Sequence, residues 1–126
     1  AQYNDQIVIQ YLEKMDKNDV VKRVRRHIIE DLASGALSKQ VVADKMHMSA
    51  RNLQLKLAAE GTTFQDTLDS TLKNLAPGYM QQSQLSITEI AYLLGFSDAS
   101  NFTRAFRRWY GLSPRDYRIE HRISEH

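Results

Sequence analysis

LSITEIAYLLGFSDASNFTRAFRRWYGLSPRDYR, the stretch from Leu85 to Arg118, decides how this chain folds. Ser86 is a capping residue, and Glu89 stands three positions later, the pairing that forms a capping box at a helix start. Ile87, Ile90, Ala91 and Leu94 then recur at helical spacing and give one apolar stripe. Gly95 permits the left-handed backbone that ends a helix and turns the chain. Ser97 is placed to cap a second helix, whose apolar face is Phe102, Ala105, Phe106 and Trp109. Gly111 closes that helix, and Ser113-Pro114 opens a third with proline at its first position. A helix, a tight turn and a second helix with arginines on its outer side is the geometry that lays a helix in the DNA major groove.

These residues also carry a family resemblance. The pattern I-x-E-I-A-x-x-L-G-F-S-D-x-S-x-F-x-R-A-F-R-R-x-x-G-x-S-P-x-x-Y-R runs from Ile87 to Arg118. It resembles the second DNA-binding unit of the AraC/XylS family of bacterial transcription regulators, and so many fixed positions are far more specific than a lone short motif.

Working outward, SKQVVADKMHMS (38–49) matches SITEIAYLLGFS (86–97) in position and polarity. Ser38, Val42, Ala43, Met46, Met48 and Ser49 recur 48 residues later as Ser86, Ile90, Ala91, Leu94, Phe96 and Ser97. The chain therefore holds two copies of one supersecondary unit. Ala43 and Ala91 mark where the helices of each unit cross closely. Upstream, residues 5–16 place Ile7, Val8, Tyr11, Leu12 and Met15 on one helical face, and Asn18 or Asp19 can cap a helix built on Val20, Val21, Val24, Ile28 and Leu32. Ser38 opens a helix through Met46, and Ser49 caps one that runs to Glu60. Thr63 begins a helix on Phe64, Leu68, Leu72 and Leu75, which Pro77-Gly78 should kink or stop.

The expected fold is all-α: two helix-turn-helix subdomains, homeodomain-like, joined by a connecting helix. Residues 1–19 form an N-terminal linker or helix, 20–62 the first unit, 63–80 the connecting helix, 81–120 the second unit and 121–126 a tail. The resemblance then covers roughly residues 20–120, with three departures in the first half. His47 stands where the turn glycine is usual, Leu55 where the family carries an arginine on the recognition helix, and Leu72 where the connecting helix carries another. These departures bear on the first unit's DNA contacts and not on its fold.

Composition narrows the function class. Of 126 residues, 42% are hydrophobic and 25% charged, the balance of an ordinary globular protein. Net charge is only +2, but from Phe102 to Arg122 six arginines face two acids, Asp116 and Glu120. With no cysteine there is neither a disulfide framework nor a cysteine nucleophile, which excludes a DNA-repair methyltransferase built on a similar module. His27, His47, His121 and His126 are scattered without an i, i+4 pair, so no metal or other cofactor is expected. No nucleophile–base pair or phosphate-binding glycine loop stands out, and no enzyme is expected. No apolar run reaches membrane-spanning length and no secretory signal opens the chain, so a bacterial cytoplasmic, nucleoid-associated protein without membrane contact is expected. The start at Ala1 suggests a chain cut from a longer one.

Helical-wheel geometry separates the DNA-facing candidates from the core. After Ser97 the outward residues are Ala99, Ser100, Thr103 and Arg104, the base-reading candidates, since recognition helices present their N-terminal residues to base edges. Arg104 suits guanine, and Thr103 or Ala99 a thymine methyl. The family's base-contacting positions fall on these same residues by resemblance. Arg107, Arg108, Arg115 and Arg118 read as phosphate clamps, joined by backbone amides of the helices begun by Ser86 and Ser113. After Ser49, Leu53 and Leu57 face the core while Ala50, Arg51, Gln54, Leu55 and Ala58 face away. Arg51 and Gln54 suit guanine and adenine, and Leu55 either meets a thymine methyl or packs on a neighbouring element. Lys22, Arg23, Arg25 and Arg26 form either a phosphate-touching or a solvated face. Trp109, Tyr110 and Tyr117 are expected as interhelix packing.

The reading is sequence-specific binding of double-stranded DNA for transcription regulation, by two recognition helices in successive major-groove faces about one helical turn apart. If they are held closer than the DNA pitch, the duplex must bend. The resemblance implies a transcription regulator, activator or repressor, whose further partners are RNA polymerase and a ligand-binding or dimerisation domain not contained in these residues. The rival is a protein-interaction module that retains the helix-turn-helix fold with weak or no specific DNA binding.

Overall fold

The computed structural model describes residues 7–8 and 19–121. Most of the helix expected over 5–16, and the tail beyond His121, lie outside them. Among the described residues there are seven α-helices, a 3₁₀ turn and no strands.

Helix α1 (Val20–Asp31) starts at Asp19, whose carboxylate accepts from the backbone N–H of Val21 at 2.8 Å and Lys22 at 3.3 Å. It buries Val24, Ile28 and Ile29, then tightens into a 3₁₀ turn over Leu32–Ser34. The first unit continues with α2 (Lys39–Lys45) and α3 (Ala50–Ala59), capped by the hydroxyls of Ser38 and Ser49. The long α4 (Phe64–Met80) is capped by Thr63. The second unit comprises α5 (Ile87–Leu93), α6 (Ala99–Tyr110) and α7 (Pro114–Glu120). The expected capping box is present: the Ser86 hydroxyl accepts from Glu89 N at 3.0 Å, and the Glu89 carboxylate accepts from Ser86 N at 2.9 Å. One expected cap is displaced by a residue. Asp98, not Ser97, caps α6, accepting from Asn101 N at 2.8 Å. Both side chains are competent caps, and the turn places the carboxylate over the free amides.

The internal repeat keeps its turn hydrogen bonds. The backbone N–H of Met48 reaches Ala43 O at 3.0 Å, and that of Phe96 reaches Ala91 O at 2.9 Å. Both alanines are fully buried at their helix crossings. His47 holds the left-handed geometry of the first turn at φ 59°, as Gly95 does in the second at φ 84°. Gly95 has a further reason to lack a side chain: a Cβ there would stand 2.8 Å from the carbonyl oxygen of Leu32. The second turn is therefore pressed against the end of α1, in the other unit.

One hydrophobic core runs through the whole molecule. Val24, Ile28, Val42, Leu53 and Leu57 fill the first unit, and Ile90, Leu94, Phe102 and Phe106 the second. Leu72, Leu75, Ala76, Tyr79 and Met80 of α4 join them. Burying each large apolar side chain stabilises the fold by about 1.5–3 kcal/mol. Leu72, where an arginine is usual in the resemblance, is one of these core residues. Ile7 packs on the bare backbone of Gly78, with its Cγ2 3.1 Å from where a Cβ would lie.

Pro77 neither stops α4 nor ends it; the helix runs on to Met80. Proline has no N–H to give the carbonyl four residues back, Lys73. The Tyr110 hydroxyl, arriving from α6, donates to that carbonyl oxygen at 2.5 Å. The aromatic rings expected to pack do so. Phe106 meets Tyr117 edge-on with centroids 5.2 Å apart, and Phe96 lies 6.4 Å from Trp109.

Candidate nucleic-acid interface

On α6 the buried face is Phe102, Ala105 and Phe106. Ser100, Arg104 and Arg107 are exposed, with Ala99 and Thr103 half-buried beside them. The structure adds a residue that the wheel did not single out. Asn101 donates from Nδ2 to the Ser97 hydroxyl at 2.9 Å, and its Oδ1 accepts from the Arg104 guanidinium. Ser97, Asn101 and Arg104 thus form a short chain that aims Arg104. Their i, i+4 and i, i+3 spacings were the available signal.

On α3, Arg51, Gln54 and Leu55 are exposed, as are Asn52 and Lys56, while Leu53 and Leu57 are fully buried. Leu55 is 55% exposed, so it does not pack on a neighbouring element. An apolar side chain presented to solvent in the middle of this face is available to an apolar partner group.

The expected phosphate clamps divide into three kinds. Arg107 and Arg115 are exposed, with their guanidinium groups open to solvent. Arg118 is a correction, because it is only 1% exposed. Its Nε donates to Met80 O at 3.3 Å and a terminal nitrogen donates to Gln82 O at 3.1 Å. The last carbonyls of a helix lack intrahelical partners, and the guanidinium fork fits them. Arg118 therefore ties α7 to the end of α4 and cannot reach a duplex. Arg108 is exposed, yet it is ion-paired with Asp69 of α4. Upstream, Arg25 of α1 donates to the Ser70 hydroxyl at 3.5 Å, so this member of the basic run turns towards α4.

The hydrogen bonds with the backbone and side chain of Ser86 hold the Glu89 carboxyl below its ordinary range. Burial, with Tyr117 nearby, pushes the Tyr110 phenol up and keeps it a donor for Lys73. No cluster of metal-ligating side chains occurs among the described residues. No described helix is long and apolar enough to cross a membrane.

Two like helix-turn-helix units, each crossing at a buried alanine and each turning the outer face of its second helix to solvent, define a tandem helix-turn-helix protein. Residues 42–120 match the family described as "Helix-turn-helix domain". Over 76 residues the chain is 51% identical to the ornithine utilization regulator of Pseudomonas aeruginosa, covering 60% of this chain and 22% of that protein. It is 40% identical over 87 residues to the HTH-type transcriptional regulator VirS of Mycobacterium tuberculosis, covering 69% and 26%. The crystal structure of a DNA-binding transcriptional dual regulator from Escherichia coli K-12 superposes with a TM-score of 0.75 at 25% identity, over 82% of this chain and 99% of that one. The chain belongs to the AraC/XylS family and corresponds to its C-terminal DNA-binding domain. It spans about a quarter of the length of the curated relatives it matches.

Proposed function

We propose that the chain reads double-stranded DNA by sequence, as the DNA-binding part of a larger bacterial transcription regulator, with α3 and α6 in successive major-groove faces. The observation that carries this is the pair of solvent-facing recognition helices built on one repeated, capped scaffold around a continuous core. Arg51, Gln54 and Leu55 read one half-site, and Ala99, Ser100, Thr103 and Arg104 the other. Arg107 and Arg115 hold phosphates. Arg104 suits guanine O6 and N7, and Leu55 a thymine methyl. The fixed attachment of both units to α4 favours a bent duplex. A ligand-binding or dimerisation domain, RNA polymerase and the bacterial cytoplasm complete the proposed setting.

Selection of duplexes from a random library, followed by a base-substitution scan of one enriched site at several salt concentrations, tests the reading. Two separated runs of base preference about one helical turn apart are expected. Weak, sequence-blind binding with no enriched site would favour the protein-interaction module instead.

A further inference from the structure

Asp69 lies in the middle of α4 and receives two consecutive residues of α6. The Trp109 indole N–H is 3.2 Å from each carboxylate oxygen, and the Arg108 guanidinium pairs with Oδ1. The Arg108 Cζ also lies 5.9 Å from the centre of the Trp109 ring, so the three groups close on one another. The next residue of α4, Ser70, accepts from Arg25 of the first unit, and Lys73, one turn on, accepts from Tyr110. A single stretch of α4 therefore holds both units.

An exposed ion pair contributes at most about 1 kcal/mol, so stability is a poor account of this cluster. Orientation is a better one. Arg108 and Trp109 lie at the C-terminal end of α6, whereas Ala99 to Arg104 lie at the other end. At 1.5 Å per residue Ala99 lies about 15 Å along the helix from Trp109, so a swing of about 10° at the Asp69 end moves the start of the reading face by about 2.5 Å, the larger part of one base-pair step. We propose that Asp69, through Arg108 and Trp109, fixes the angle of α6 on α4 and thereby the spacing between half-sites that the chain accepts. Arg108 is then a positioning residue rather than a phosphate contact. This rests on the reading that α3 and α6 both enter duplex DNA.

The test uses a duplex enriched by the parent chain, alongside versions with one base pair added or removed between the half-sites. Asp69→Asn keeps an acceptor for Trp109 but loses the charge, and its discrimination between spacings is expected to fall by about threefold or more. Arg108→Gln should do the same with an unchanged salt slope, and Arg108→Lys, which can still pair, should retain the parent profile. If Asp69→Asn does not fold, Arg108→Gln alters an exposed side chain and carries the test. Parent-like spacing profiles for Asp69→Asn and Arg108→Gln would overturn the inference. So would a salt slope reduced by about one unit in Arg108→Gln, the mark of a phosphate contact. Failure to enrich any duplex would overturn the DNA-binding reading itself, and this inference with it.

Discussion

The two helix-turn-helix units share a scaffold and differ in how tightly each position is constrained. In the second unit the capping box is complete, the turn is glycine, and the recognition helix carries an aimed arginine. The first has Val41 where Glu89 stands, His47 in a left-handed turn, and an exposed Leu55 in place of an arginine. The difference follows from position in the fold. A Cβ at Gly95 would run into the Leu32 carbonyl, whereas the side chain of His47 extends into solvent. Where the side chain can reach solvent it is tolerated at modest conformational cost; where a carbonyl of the other unit stands in its way, only hydrogen fits.

The largest expected effect concerns the tie between the second unit and the end of α4. Arg118→Ala removes a buried cation from the end of α4 and should cost about 3 kcal/mol of stability. Denaturant unfolding checks it, and a parent-like midpoint would return Arg118 to the surface. Next come the turns. Gly95→Ala should cost about 2–3 kcal/mol, from left-handed strain plus the contact with the Leu32 carbonyl. His47→Gly should gain about 1 kcal/mol by relieving the same backbone preference. Thermal melts of the two variants should move in opposite directions, and movement in the same direction would break the comparison.

The readers should differ in kind as well as size. Arg104→Ala is expected to cost about 1–3 kcal/mol of specific binding and to relax one base pair, because a bidentate contact goes. Leu55→Ala should cost less and act through a thymine methyl alone. Leu55→Arg should raise affinity on all duplexes and steepen the salt slope by about one unit. Binding isotherms over a base-substitution scan decide the matter, and a more stringent first half-site would reverse it. The smallest effect belongs to the capping box. Because Glu89 has its carboxyl pKa lowered by folding, its contribution is present above the unfolded pKa and fades as pH falls through the folded one. The gap in melting temperature between the parent and Glu89→Gln should close on acidification, while variants at Val41 show no such dependence.

The fold was legible because caps, glycines and apolar spacing are local signals, and here they agree with one another and with the repeat. The outward faces of α3 and α6 were legible for the same reason, since a helix of ten or more residues shows its inside by periodicity. Arg118 was not. It sits in a seven-residue helix, too short for a clear wheel, and its partners Met80 and Gln82 are 38 and 36 residues away. Asp69 was hidden likewise, because nothing in its own neighbourhood announces Arg108 and Trp109. At Leu72 two sequence signals diverge, and helical spacing, which places it on the apolar face with Leu68 and Leu75, is the one that holds. The family pattern has an arginine there, and in this chain the position is core.

Pro77 carries a consequence for how the molecule assembles. Until α6 arrives, the Lys73 carbonyl lacks both a helical partner and the Tyr110 hydroxyl, so the latter part of α4 is the weaker part. The apolar side chains there, Leu75, Ala76 and Met80, are also those that the shared core covers. Folding should therefore spread from the first unit along α4 and be completed by the second. Amide protons beyond Lys73 should exchange together with those of α6, as one cooperative block.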